Sequence, residues 1–153
     1  MSVVAELLDE ATVWVGERGY EQWPLPFPHD DIATAIERGE AYVAELDGEV
    51  VATVTLLWND PTYWGDRPAD AAYVHKLAVR RACAGQRIGG AIVEWADRTA
   101  AAAGRDFLRL DCLGDNPGIR AYYERLGFEH RGDLVVNNRN MSIYERPVHT
   151  RRD

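Results

Sequence analysis

An imidazole, a carboxylate and a phenol are the side chains of this sequence best suited to moving a proton: His75, Asp111 and Tyr123. An imidazole changes charge near neutral pH. An aspartate, with an ordinary pKa of about 4, becomes a useful base only where its surroundings raise it. Between the first two lies a backbone pattern with chemistry of its own. Leu77-Ala78-Val79 reads as the end of a strand, Arg80 to Ala84 as a short connection, and Gly85-Gln86-Arg87-Ile88-Gly89-Gly90 as the entry to a helix. Glycines at such a junction let the main chain approach a ligand closely. The unpaired N–H groups of the helix that follows, aided by its dipole, bind anionic phosphate. The same glycines would also serve a tight turn with no ligand, so this segment alone supports both readings.

The elements that must position these groups are legible from periodicity. Val4, Leu7, Leu8, Ala11 and Val15 recur at helical spacing over residues 3–18. The segment from Trp23 to Pro28 carries three alternating prolines, which exclude regular helix and central strand. His29-Asp30-Asp31 predicts a capped short helix ending at Gly39. Residues 41–46 and 49–58 flank Asp47-Gly48, a pair that readily takes positive φ, and predict a hairpin. After a loop over 59–70, strands are expected at 72–79 and 107–113. Between them a helix over 88–103 carries a stripe of Ile88, Ile92, Trp95 and Thr99 with Ala91 beside it. On the strand at 107–113, Asp111 shares a face with Phe107, Arg109 and Leu113, opposite Leu108, Leu110 and Cys112. Asn116-Pro117 is a cap followed by proline at the first helical position, with Gly127 as the stop. Two strands, 129–136 and 140–147, close a single α/β domain expected to span residues 1–153.

Composition narrows the function classes. Apolar residues make up 46% and charged residues 27%, a profile typical of globular proteins. A formal charge of −8 argues against nucleic acid, whose phosphates need a basic footprint. It would favour a cationic substrate, although acidity also serves solubility alone. No apolar run approaches a membrane span, and no basic segment leads into a long apolar stretch, so neither membrane insertion nor a signal peptide is expected. Two cysteines, Cys83 and Cys112, lack ligand-like spacing; the expectation is reduced thiols in a cytoplasmic protein without a metal.

The segment Asn116-Pro117-Gly118-Ile119-Arg120-Ala121-Tyr122-Tyr123-Glu124-Arg125-Leu126-Gly127-Phe128 resembles a signature of the GNAT acetyltransferases. Together with Leu77-Ala78-Val79 and the Gly85–Gly90 loop, in the same order and separation, the resemblance covers roughly residues 40–136. It implies the GNAT fold, a mixed and mostly antiparallel sheet of about six strands flanked by about four helices. It also implies acetyl-CoA as cosubstrate. Backbone groups around Leu77, Ala78 and Val79 would hold the pantetheine arm as an added strand. Amides of Gly85, Gln86, Arg87, Ile88, Gly89 and Gly90 would hold the pyrophosphate, and Asn116 would contact the pantetheine. Tyr123 falls where the family places the tyrosine that protonates the departing thiolate. The sequence departs from the pattern at Ala84, where a polar residue is usual, and at Arg87, where a glycine is usual. A side chain at Arg87 fits if that residue takes helical dihedrals, and its guanidinium could assist a phosphate. The family's first strand is also missing, which leaves an edge that a second copy of the chain could cover.

Acetyl transfer to an amine needs a base, because an ammonium has no lone pair. The resemblance places Asp111 where several family members carry an acidic base, while Asp111 could instead pair with Arg109 or a helix end. His75 is the second candidate base, or a structural strand histidine. Tyr122 and Tyr123 are adjacent on one helix, and one of them is expected in the core. Trp23, Phe27, Trp58, Tyr63 and Trp64 lie where this architecture builds an acceptor pocket; aromatic rings there could hold a cation or simply pack. The reading is therefore an N-acetyltransferase acting on a small-molecule or peptide amine. Two others stay open: a non-catalytic acyl-CoA-binding sensor of the same fold, and a structural dimerisation module.

Overall fold

Residues 3–149 are described in a computed structural model of the chain. Its helices are α1 (Val3–Gly16), α2 (His29–Glu37), α3 (Pro61–Trp64), α4 (Ile88–Ala102) and α5 (Pro117–Arg125). Its strands are β1 (Ala41–Leu46), β2 (Glu49–Leu57), β3 (Ala71–Val79), β4 (Phe107–Leu113), β5 (Glu129–Val136) and β6 (Arg139–Pro147). The strands form one sheet in the order β1-β2-β3-β4-β6-β5. β3 and β4 pair in parallel, whereas β1–β2, β4–β6 and β5–β6 are antiparallel. This is the mixed, mostly antiparallel α/β architecture that the sequence leads one to expect. Among the described residues no strand precedes β1. The additional helix is α3, hidden in the stretch expected to be loop; it is one turn long, with Pro61 at its start.

Contacts gather the chain into two compact units, residues up to 56 with 76–93, and residues 57–75 with 94 onward. In the first unit, Val4, Ala5 and Leu8 of α1 bury with Phe27, Ile32 and Ala78 in one apolar cluster. The proline-bearing segment is tied down where Asp9 Oδ1 accepts the Phe27 N–H at 2.8 Å. The β1–β2 turn takes positive φ at both Asp47 and Gly48, 53° and 83°, which matches the twist of paired strands. The start of α2 departs from expectation. Pro28 occupies the cap position, and no side chain caps the helix, so Asp30 and Asp31 act only as first-turn negative charges facing the helix dipole.

In the second unit, both faces of β4 are covered. Leu108 and Leu110 are buried, and so is Arg109. The Arg109 guanidinium donates to Glu145 Oε2 at 2.7 Å, Asp70 Oδ1 at 2.9 Å and Tyr73 Oη at 3.0 Å. It also lies 5.1 Å from the Trp64 ring and 5.3 Å from that of Phe107. One buried cation thereby joins β4, β6, the start of β3 and α3.

Within α4 the buried side is Ile92, Val93, Ala96, Asp97 and Ala100, rotated from the expected stripe; Trp95 and Thr99 are half-buried and Ala91 is exposed. The cause is Asp97. This fully buried carboxylate accepts from Arg146 Nη2 at 2.8 Å and from the His149 N–H at 2.9 Å. An aspartate counts as polar in any hydrophobic period, so the pattern drifts around it.

Replacing Arg109 by methionine leaves buried Glu145 with only its longer contact to Arg131, at 3.3 Å, and takes the cation from half-exposed Asp70. Breaking such a buried pair costs about 3–5 kcal/mol, to be read as a lower midpoint of urea unfolding. A loss below about 1 kcal/mol would show that the aromatic packing, and not the charge network, holds this corner.

Candidate active site

The candidate residues fall into a backbone group in the first unit and a side-chain group in the second.

In the first unit, Leu77, Ala78 and Val79 end β3, with Ala78 buried and its two neighbours half-buried. Ahead of them Lys76 takes φ 52°, a left-handed conformation inside a strand. Such residues are uncommon and cost energy, and they cluster at functional sites. The kink interrupts the alternation of side chains, so the faces of residues 77–79 do not follow from counting back to residue 75. A 3-10 turn over Arg81–Cys83 leads on toward α4. Its position is fixed from α1, where Glu10 accepts the Arg81 N–H and lies 3.6 Å from Arg80 Nη1. The Arg81 guanidinium stacks on Trp14, 4.0 Å from the ring centre. Arg80 also donates its backbone N–H to the Val51 carbonyl at 2.7 Å.

Two left-handed residues then carry the chain into the helix: Gly85 at φ 87° and Arg87 at φ 60°. Arg87 therefore does not take the helical dihedrals under which its side chain was expected to fit. It occupies the mirror region that glycine adopts without cost. Arg87 is itself exposed. The Gln86 N–H donates to the Cys83 carbonyl at 3.3 Å, and the Ala91 N–H closes the first helical bond onto Arg87 at 3.1 Å. Ile88, Gly89 and Gly90 stand ahead of that first bond, and amides at this end of a helix have no intrahelical partner.

The second unit gathers His75, Asp111 and a residue that no sequence pattern singled out, Asp60. The parallel register pairs Tyr73 with Arg109 and Val74 with Leu110. One step further along both strands, His75 meets Asp111, with Nδ1 3.4 Å from Asp111 Oδ1. The other ring nitrogen, Nε2, lies 2.9 Å from Asp60 Oδ2. Asp60 precedes α3, and its carbonyl accepts the Trp64 N–H at 2.9 Å. Side-chain exposure is 14% for His75, 6% for Asp60 and 10% for Asp111. Asp111 is thus not the partner of Arg109, which is taken by Glu145 and Asp70. In sequence Asp60 is one of several polar residues in a loop; only the turn of α3 aims it at His75.

Tyr63, on the same helix, has its ring 6.1 Å from that of His75. Burial pushes its phenol up, the charges of Asp111 and Asp60 add to the rise, and Arg139 opposes them. The remaining aromatics are largely used by the protein itself. Trp23 packs edge-on against buried Phe27, Trp64 is buried beneath Arg109, and Arg105 lies over Trp58 at 5.3 Å.

Asn116 caps α5, its Oδ1 accepting the Ile119 N–H at 3.2 Å. Tyr123 is the more buried of the tyrosine pair, lying 5.2 Å from the Tyr122 ring and 5.9 Å from that of Phe128. Burial pushes its phenol far above the ordinary tyrosine value, with Tyr122, Cys112 and Asp111 adding to the rise. A phenol so placed stays protonated and offers an O–H, not a phenolate. Cys112, next to Asp111, has its thiol pushed up to about 12, mainly by burial.

The model of the acetyltransferase (GNAT) family matches residues 4–128. An N-acetyltransferase of uncharacterised substrate from Bacillus subtilis, YesJ, is 36% identical over 138 residues, covering 84% of this chain and 76% of that protein. A GNAT-family acetyltransferase structure from Listeria monocytogenes superposes with a TM-score of 0.75 at 26% identity, over 93% of this chain and 86% of that one. The structure of an aminoglycoside 6′-N-acetyltransferase complexed with coenzyme A superposes with a TM-score of 0.68 at 15% identity, over 98% and 93% of the two chains. The chain belongs to the GNAT acetyltransferase family, which establishes it as a transferase of that class. No helix among the described residues is long and apolar enough to cross a membrane.

A thiol with a pKa of about 12 holds almost no thiolate at pH 8.5. In the folded protein Cys112 should therefore react with iodoacetamide more than about a hundredfold slower than a free thiol. Mass-spectrometric mapping of the modified peptide checks this, and comparable rates would mean that β4 opens readily.

Proposed function

We propose that the chain transfers an acetyl group from acetyl-CoA to a primary amine of a small molecule or peptide, by direct attack of the amine on the thioester. The observation that carries this reading is the left-handed turn at Gly85 and Arg87, which feeds α4 with Arg87 itself exposed. Such a turn leaves main-chain amides available to a diphosphate, the chemistry expected of residues 85–90. In this reading Leu77 and Val79 offer backbone groups to the pantetheine amides while Ala78 anchors the strand in the core. Asn116 uses its oxygen for the helix cap, and its Nδ2 is the atom it would offer to the cofactor.

The reaction forms a C–N bond at the acetyl carbon and breaks its C–S bond. An attacking amine must first be neutral, so a group in the second unit takes a proton from the ammonium; His75 and Asp111 are the two candidates on hand. The departing thiolate, the conjugate base of a thiol near pKa 8.5, needs stabilisation. Tyr123 supplies a hydrogen bond, since its raised pKa makes full proton transfer to sulfur more uphill than the roughly 2 kcal/mol of an unperturbed phenol. Direct transfer is favoured over an acyl-cysteine intermediate, because buried, protonated Cys112 is a poor nucleophile.

Calorimetric titration with acetyl-CoA should give micromolar binding, and its absence would favour a structural module without a cofactor. Acetyl-CoA-dependent thiol release across polyamines, amino acids, aminoglycosides and peptide N-termini should find at least one acceptor. Tight binding with no release from any amine would favour the sensor reading. Tyr123→Phe should lower turnover at least tenfold, about 1.4 kcal/mol in barrier, with CoA affinity nearly unchanged. Unchanged turnover would remove Tyr123 from the chemistry.

A further inference from the structure

The ring of His75 is engaged from both sides, by Asp60 at Nε2 (2.9 Å) and by Asp111 at Nδ1 (3.4 Å). A neutral imidazole has only one N–H to give. The shorter contact is to the more buried carboxylate, Asp60, which leaves the wider gap on the Nδ1 side. With the proton on Nε2, the Nδ1 lone pair and Asp111 Oδ1 are two acceptors facing one another across that gap. Such a pair is repulsive unless a proton-bearing group lies beside both.

From this we infer that Asp60 is a positioning residue for acetyl transfer: by accepting from Nε2–H it holds neutral His75 in the tautomer whose Nδ1 is the base, with Asp111 beside it to receive the ammonium of the acceptor. This rests on the proposed transferase activity and resolves the choice between the two candidate bases, giving each a separate task. The acceptor arrives as R–NH₃⁺ and donates one N–H to Asp111 and one toward Nδ1. The Nδ1 lone pair takes that proton, leaving a neutral amine and an imidazolium bonded to carboxylates at both ring nitrogens. After the C–N bond forms, the second proton leaves the attacking nitrogen as the C–S bond breaks and ends on the departing sulfur, giving the amide and the free thiol; the imidazolium then releases the first proton to solvent, and the cluster returns to its starting charge. The three groups come from three separate elements, the approach to α3, β3 and β4, so their convergence is a product of the fold and not of local sequence.

The titratable groups facing the ring are Asp60, Asp111 and Tyr63, with Arg139 acting on Tyr63. A neutral amide accepts from an N–H more weakly than a carboxylate does. Asp60→Asn should therefore lower kcat at least tenfold and reduce the share of the Nε2–H tautomer of His75 seen by ¹⁵N-imidazole NMR. The KM for acetyl-CoA should stay within twofold. Reduced kcat with the tautomer unchanged would leave Asp60 a merely structural residue and overturn the inference.

A second measurement needs no turnover and no variant. In ¹⁵N-imidazole NMR of the wild-type chain with the His75 ring neutral, Nε2 should carry the proton and Nδ1 should show the shift of an unprotonated nitrogen. The reverse assignment overturns the proposal even if the chain acetylates amines. The predicted tautomer in a chain that acetylates nothing leaves the geometry standing and sinks the transferase reading instead. The same three groups could coordinate a divalent cation, since their donor atoms lie within 4.8 Å of one another. Loss of activity on chelation, restored by Zn²⁺ or Mn²⁺ in the wild type but not in Asp60→Asn, would assign the cluster to a metal and likewise overturn the inference.

Discussion

Much of the second unit follows from one constraint, the parallel pairing of β3 with β4 between Ala71↔Phe107 and Val74↔Leu110. Parallel strands keep residues of equal offset side by side over their whole shared length, so one register decides two unrelated outcomes. It puts Tyr73 next to Arg109 and brings Asp70 within reach of the same guanidinium, building the buried charge network. Continued a step past the last paired residues, it sets His75 against Asp111. A slip of one residue would turn every side chain to the opposite face and undo both. The structural ion network and the chemical one are therefore specified together, and stabilising the first is a way of holding the second.

That network also explains why a one-turn helix can aim a carboxylate. A segment as short as Pro61–Trp64 has no stability of its own, because nucleation costs more than its few hydrogen bonds return. It is held by Trp64, buried among Ala71, Tyr73 and Phe107 with the Arg109 cation against its ring. Asp60 receives its orientation from that anchored turn. The Asp60–His75–Asp111 cluster thus borrows rigidity from the packing of Trp64.

Much of the architecture was legible in the sequence because it is written in local signals. The Asp47-Gly48 turn, the Asn116-Pro117 cap and the apolar strand at 107–113 each depend on a few adjacent residues, and each formed as expected. The turn into α4 was marked by its glycines, and Gly85 does take a left-handed φ of 87°. What stayed hidden depends on partners far apart in sequence. Asp97 looks like a surface residue until Arg146 is placed over it, and this displaced the expected stripe of α4. Arg109 looked like the natural mate of Asp111, because nothing nearby says that Glu145 and Asp70 will claim it first. Asp60 was overlooked for the same reason, since its meaning lies entirely in where α3 points. The left-handed state of Arg87 escaped notice because no side-chain pattern marks a non-glycine residue at positive φ.

The kink at Lys76 has a consequence for how this part of the chain can change over evolutionary time. A strand with a uniform pleat can absorb an added residue by sliding, since each position resembles the one two away. β3 cannot, because its left-handed φ of 52° belongs to one position only. Sliding would move that bend off position 76 and turn His75 away from Asp60 and Asp111. Length variation among descendants of this sequence should therefore collect in the stretch before Ala71 and in the connection after Val79.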